Sequence, residues 1–380
     1  MNHGVPRAQA AIERGMDQRR HVGAQLFASR DGESVADLAL GIAREGVSMR
    51  PDTLQCWISA TKPVMSVAIA QLWERGALAP DDPACLHVPE FGTRGKHVVS
   101  LRHLLTHTAG FRFTPIAWSQ EPFDDIVAQA CDAALEEGWV PGQDCGYHVA
   151  SAWYVLAEVV RRVDGRHYSQ YVRDAIFEPL GMRDSWIGMP RQQHAAYGDR
   201  VACMWETEGG ECKASDNWAW NGSAQGCGIC RPGGSGWGPA RELAILYEAL
   251  LAGGERAGAR ILTPQSIEAI STRHTVGMLD RTFDYRLDRG LGVVVDSKTY
   301  GTRSAWFGTR CSTRAYGHAG YNATVAFADP EYGLAVALVF NGVTDPVLND
   351  ERVIATLDGL YEDLELAAPQ AREQLTPASR

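Results

Sequence analysis

Ser59-Ala60-Thr61-Lys62 sets a hydroxyl and an amine three residues apart, and on a helix residues at that spacing share a face. A serine hydroxyl is a poor nucleophile at neutral pH and needs a base beside it. A lysine desolvated against other donors loses enough of its pKa to serve. A helix that begins at Ser59 adds free N–H groups and a positive field where negative charge would develop. The same four residues also fit a plainer arrangement, with Ser59 as an N-cap and Lys62 exposed in the first turn. Pro63 is compatible with a helix starting here, because it gives up at most a terminal hydrogen bond.

The elements that must hold this pair can be read from periodicity. Over 58–75, Val64, Val67, Ala68, Leu72 and Trp73 recur at three- and four-residue intervals and Gly76 ends the pattern, which predicts a helix. Upstream, 22–29 and 35–43 read as two strands of a hairpin around Arg30-Asp31-Gly32-Glu33. From 77 to 190 the chain reads as helices and loops, with helical patterns at 101–107, 123–138 and 152–165. Residues 191–238 carry Trp205, Trp218, Trp220 and Trp237 with no sustained period, so a long ordered loop is expected there, a candidate wall of a binding site. After a helix over 239–252 come strands at 291–297, 323–329 and 334–341 and a final helix over 350–366. Strands at both ends with helices between them imply an α/β (α+β) fold of two lobes. An antiparallel sheet flanked by helices takes residues 1–62 and 236–380, and a mainly helical insertion takes 63–235. The tail after Ala367 is expected to be mobile.

Composition narrows the function. The chain has 380 residues, 45% hydrophobic and 22% charged, enough to bury a large core. Its net charge of −10 and lack of any Lys/Arg run argue against a nucleic-acid partner. The first twenty residues lack the apolar stretch of a secretory signal and no 18-residue apolar span occurs, so a cytoplasmic protein without a membrane partner is expected. Nine cysteines, an odd number, are expected to be mostly reduced core residues.

Four stretches, WISATKPVMSVAIAQLWERGAL at 57–78, VVSLRHLLTHTAGF at 98–111, FEPLGMRDSW at 177–186 and YGHAGYNATVAFADPEYGLAVALVFNG at 316–342, occur in the order of one known family. The chain resembles the class C β-lactamase-like serine hydrolases over about residues 20–345, a family of β-lactamases, D-Ala-D-Ala peptidases, esterases and some acyltransferases. The resemblance implies Ser59 as nucleophile and Lys62 as its proton partner. Its Tyr-x-Asn motif is best matched by Tyr147-His148-Val149, which makes Tyr147 a second proton-transfer group able to take the Ser59 proton; a buried core tyrosine is the plainer alternative. Val149 stands where lactamases and peptidases carry the Asn that holds the substrate amide. The Lys-Thr-Gly motif corresponds to His318-Ala319-Gly320. Gly320 would let the backbone approach the acyl group, and the N–H groups of Ser59 and Tyr321 would form the oxyanion hole, each worth about 3 kcal/mol. His318 would bind a substrate carboxylate or tune Tyr147 and Lys62, unless it only hydrogen-bonds the strand end.

Other clusters carry weaker readings. His103 and His107 sit four apart but lack the acidic residue of an H-E-x-x-H site. Cys227-Gly228-Ile229-Cys230, with Cys203 and Cys212 upstream, could hold zinc or a regulatory disulfide and organise an interaction protein. Trp218 and Trp220 are candidate walls for a flat apolar acyl or acceptor group. Taken together the residues predict a two-step acyl-enzyme reaction without cofactor or metal. The partners would be a small ester, thioester or amide donor and water, an amine or an alcohol as acceptor, within a biosynthetic pathway such as that of an antibiotic. A D-amino-acid peptidase, a β-lactamase and a silent ligand-binding member stay open, and the sequence indicates no oligomeric state.

Overall fold

The computed structural model describes residues 4–114, 116, 119–208 and 211–366; the expected tail after Ala367 lies outside them. The hairpin forms from β1 (Gly23–Arg30) and β2 (Glu33–Arg44), extended by β3 (Val47–Ser48). Its turn needs positive φ at both central residues, and Asp31 (φ 51°) and Gly32 (φ 82°) supply it. The C-terminal half contributes β4 (Asp288–Arg289), β5 (Val294–Val295), β6 (Tyr316–Gly320), β7 (Thr324–Asp329) and β8 (Leu334–Phe340). These make one antiparallel sheet in the order β4-β5-β6-β7-β8-β1-β2-β3. The two ends of the chain meet at its centre, where Ala24 pairs with Phe340 and Arg30 with Leu334.

Alternation along β8 shows why both faces are covered. Leu334, Val336, Leu338 and Phe340 join the cluster of Val5, just before α1 (Pro6–Asp17), Ala8 and Ile12 on it, and Val353, Leu357 and Leu360 on the C-terminal helix. Ala335, Ala337 and Val339 face the opposite cluster, with Leu243 and Tyr247 on the helix over 240–251. Small alanines on that side let a helix lie close to the sheet.

The helical region is organised around α2 (Lys62–Glu74), every residue of which from Lys62 to Leu72 is buried. A helix buried all round belongs at a centre, not on a surface. Against it packs α3 (Ser151–Asp164), ended by Gly165 at φ 92°. The helices α4 (Ala240–Leu251) and α5 (Pro346–Asp363) complete the layers.

One element is unforeseen and two expectations need correction. The α1 helix gave no strong apolar signal, because its buried stripe is built of Ala8, Ala11, Ile12 and Gly15 between charged residues. The strand expected over 291–297 shrinks to Val294–Val295, since Gly290 and Gly292 place it against the Ile270 backbone and Ser66. The expected loop over 191–238 contains a helix (Arg191–Tyr197), a hairpin (Trp205–Glu208 with Glu211–Ala214), a helical turn (Ala224–Gly228) and a strand (Gly236–Gly238). Each is too short for periodicity to reveal.

Candidate active site

The nucleophile turn begins where the short strand Gln55–Ile58 ends beside Gly236–Gly238. Ile58 has φ 49° and ψ −133°, a conformation that a β-branched residue adopts only under strain, at a cost of about 1–3 kcal/mol. Surrounding bonds enforce it. The Thr61 hydroxyl donates to the Ile58 carbonyl at 2.6 Å and accepts from the Gly236 N–H at 2.9 Å. One 3-10 turn, Ser59–Thr61, then leads into α2.

Lys62 is fully buried, and its Nζ lies 3.1 Å from Ser59 Oγ, 3.2 Å from the Val149 carbonyl and 2.8 Å from the Gly233 carbonyl. Carbonyls only accept. A neutral amine has two N–H groups for them and one lone pair left, which faces the Ser59 hydroxyl. Burial drives the Lys62 pKa well below its ordinary value, and the Arg289 and Arg231 charges add to this. The ring faces of Tyr147 and Trp153, 4.9 and 5.1 Å from Nζ, would favour a cation, but desolvation outweighs them.

Tyr147 is buried, and its phenol interacts with the Ser59 hydroxyl. Burial pushes the phenol pKa up, and the Ser59 bond and Arg289 recover only part of that. The phenol is therefore protonated at neutral pH, which suits it to giving a proton rather than to starting as a phenolate base. With the Lys62 pKa lowered and Tyr147 protonated, this arrangement can use the amine as base and the phenol as acid.

Two features invisible in the sequence hold Tyr147. The Asp280 carboxylate accepts from the backbone N–H groups of Tyr147 (3.1 Å), Thr282 (2.9 Å) and Phe283 (3.1 Å), and pairs with Arg289 at 2.5 Å. The Thr282 hydroxyl donates to the Tyr147 carbonyl at 3.1 Å. Burial alone would raise the Asp280 pKa, but Arg289 and these N–H groups hold it below the ordinary carboxylate range. On the other side of the phenol ring lies His107, with centroids 4.6 Å apart. Its Nδ1 accepts from the His148 N–H at 2.9 Å. No motif spacing links these residues, so nothing local could have flagged them.

β6 brings in the third segment. A Cβ on Gly320 would lie 2.6 Å from the Trp57 carbonyl, so this glycine lets the strand approach the nucleophile turn itself. The backbone N–H groups of Ser59 and Tyr321 donate to no backbone acceptor among the described residues. His318 is buried, its Nδ1 donating to the Ala319 carbonyl at 2.6 Å, with Nε2 unpartnered. Burial is the main cause that keeps its pKa well below the usual histidine value. A lowered pKa disfavours the charged imidazole that binding a carboxylate would use.

The cavity opening on Ser59 has a volume of about 330 Å³ and is lined by Tyr147, Val149, Gly320 and Tyr321 among others. Trp218 and Trp220 are not among its lining residues. Trp220 is buried behind Tyr321, stacked on it at 6.1 Å and 13°, and Trp218 lies against Arg231. His103 forms a capping box with Ser100, and all nine cysteines are free thiols. Among the described residues no three His, Cys, Asp or Glu converge as a metal site, and no helix is long and apolar enough to cross a membrane.

Known proteins share this architecture. The family model described as Beta-lactamase matches residues 8–360. The chain is 26% identical over 392 residues to the esterase/β-lactamase LipL of Mycobacterium tuberculosis (strain ATCC 25618 / H37Rv), covering 97% of this chain and 87% of LipL. A penicillin-binding protein homolog from Caulobacter crescentus superposes with a TM-score of 0.78 at 28% identity, covering 94% of this chain and 97% of that one. A family VIII carboxylesterase gives 0.77 at 25% identity with the same coverages. Similarity that runs from the first helix into the last makes this chain a member of the Beta-lactamase family, among its serine hydrolases.

Proposed function

We propose that the chain is a small-molecule esterase whose nucleophile is Ser59. Lys62 takes the hydroxyl proton as Oγ attacks the ester carbonyl, and the Ser59 and Tyr321 N–H groups receive the oxyanion. Tyr147 protonates the departing alkoxide, and its proton is replenished from Lys62. Water or an alcohol or amine acceptor then attacks the acyl-enzyme through the same groups in reverse. The observation that carries this is the Lys62 amine, its two N–H groups committed to carbonyls and its lone pair aimed at Ser59. The esterases among its relatives support an ester substrate. Val149 and the lowered pKa of His318 favour it over a carboxylate-bearing β-lactam. The free thiols suit a reducing compartment such as the cytoplasm.

Intact-mass measurement tests the reading. A fluorophosphonate and an activated ester should each add one adduct, mapped to Ser59 and missing in Ser59→Ala. Loss of the acyl adduct that speeds up with added amine or alcohol would mark a transacylase. No adduct on the wild-type chain would overturn the proposal.

A further inference from the structure

The Ser59 cavity has one wall made of stacked rings. Tyr147 stacks on Phe283 (4.8 Å, 29°), Phe283 on Tyr285 (5.5 Å, 13°), and Trp306 meets Phe283 edge-on at 6.0 Å. Tyr321 faces the same space and is more than half exposed. Such a slot suits a flat apolar body.

Among its lining residues only Arg303 and Asp350 carry charge. Arg303 Nε lies 3.0 Å from Asp350 Oδ2, yet that oxygen makes no aligned hydrogen bond. The guanidinium rests over Tyr285, 5.5 Å from the ring centroid, and is about half exposed. Asp350 sits in the first turns of α5, and burial, opposed by Arg303, raises its carboxyl pKa to about 6. Here Arg303, about half exposed, offers a donor fork, and the Asp350 side chain, 22% exposed beside it, offers an acceptor to the cavity. A hydroxyl or carboxamide can accept from one and donate to the other. A carboxylate could use only Arg303, already neutralised, and would meet Asp350 as a like charge.

We infer that this cavity selects flat aromatic esters whose far end carries an uncharged donor–acceptor group, a hydroxyl or a carboxamide, read jointly by Arg303 and Asp350. This rests on the acyl-transfer reading of Ser59.

The test uses the full chain and four esters: 2-naphthyl acetate and its 6-hydroxy, 6-carboxamido and 6-carboxylate derivatives. The readout is each derivative's kcat/KM divided by that of 2-naphthyl acetate on the same protein, so that losses of folded protein cancel. For the wild type the hydroxy and carboxamido ratios should reach about tenfold and the carboxylate ratio should fall below one. Asp350→Asn should cut the hydroxy ratio severalfold and raise the carboxylate ratio; Arg303→Met should lower both. A role in structure alone would not move the carboxylate ratio in opposite directions. Wild-type ratios near one, or a preference for the carboxylate, overturn the inference while Ser59 labelling leaves the esterase reading standing. Absence of Ser59 labelling sinks both.

Discussion

Asp280→Asn should be among the most damaging single-atom-scale changes in this chain. The side chains of Asp280 and Arg289 are buried, at 0% and 1% exposure, and removing one partner of such a pair costs about 3–5 kcal/mol, because the other is left as an uncompensated charge. Asparagine keeps an oxygen for the Tyr147, Thr282 and Phe283 N–H groups but turns an amide donor or a neutral oxygen toward the guanidinium. Arg289→Met should be milder, about 1–3 kcal/mol, since the carboxylate retains its three backbone donors. The double variant should be less destabilised than Asp280→Asn alone, as no bare charge remains. Equilibrium urea unfolding at pH 7 of the four proteins gives the cycle and its coupling energy. Acid dependence provides a second check. A carboxyl held below its unfolded value stabilises the fold above that value and stops doing so as pH falls through the folded one. Wild type should therefore lose this increment in strong acid, and Asp280→Asn should not. A loss under about 1 kcal/mol for Asp280→Asn, or a double variant worse than either single, would refute the argument.

Other outcomes follow from the same geometry. Lys62→Ala should slow Ser59 acylation by about 10²–10⁴-fold, and Lys62→Arg should not restore it, because a guanidinium stays protonated; restoration by arginine in stopped-flow acylation would contradict the base role. The acid limb of kcat/KM should report Lys62 losing its proton, and Arg289→Met, by removing a neighbouring cation, should move that limb to higher pH. Tyr147→Phe should cost more with alkyl than with 4-nitrophenyl esters, since only the poorer leaving group needs a proton; equal losses on both would point to a packing effect. Gly320→Ala should force β6 away from the Trp57 carbonyl and slow acylation at least about tenfold, by loosening one oxyanion donor.

What the sequence disclosed depended on distance along the chain. Ser59 and Lys62 could be paired on paper because one helical turn joins them, and the hairpin because Asp31-Gly32 dictates its turn. The central strands β7 and β8 are continuous apolar runs, equally plain. Asp280 and Arg289 escaped notice because they support a residue some 130 positions earlier, a relation no local pattern encodes. Trp218 and Trp220 misled because aromatic density marks a wall without saying which side faces the ligand; Trp220 backs Tyr321 instead. Protonation states also needed the fold. The resemblance implies a proton-transfer role for Tyr147 and a carboxylate-binding or tuning role for His318, and the burial that shifts both pKa values shows only in the fold.

The pairing of β1 with β8 bears on how the protein is made. At synthesis rates of ~5–20 residues per second, the hairpin leaves the ribosome about 15–60 s before Leu334–Phe340 exists to pair with it. Through that interval β1 presents a bare hydrogen-bonding edge, an invitation to neighbouring nascent chains. Yield during expression should therefore improve at low temperature or with extra chaperone, and truncation before residue 334 should leave an aggregating fragment.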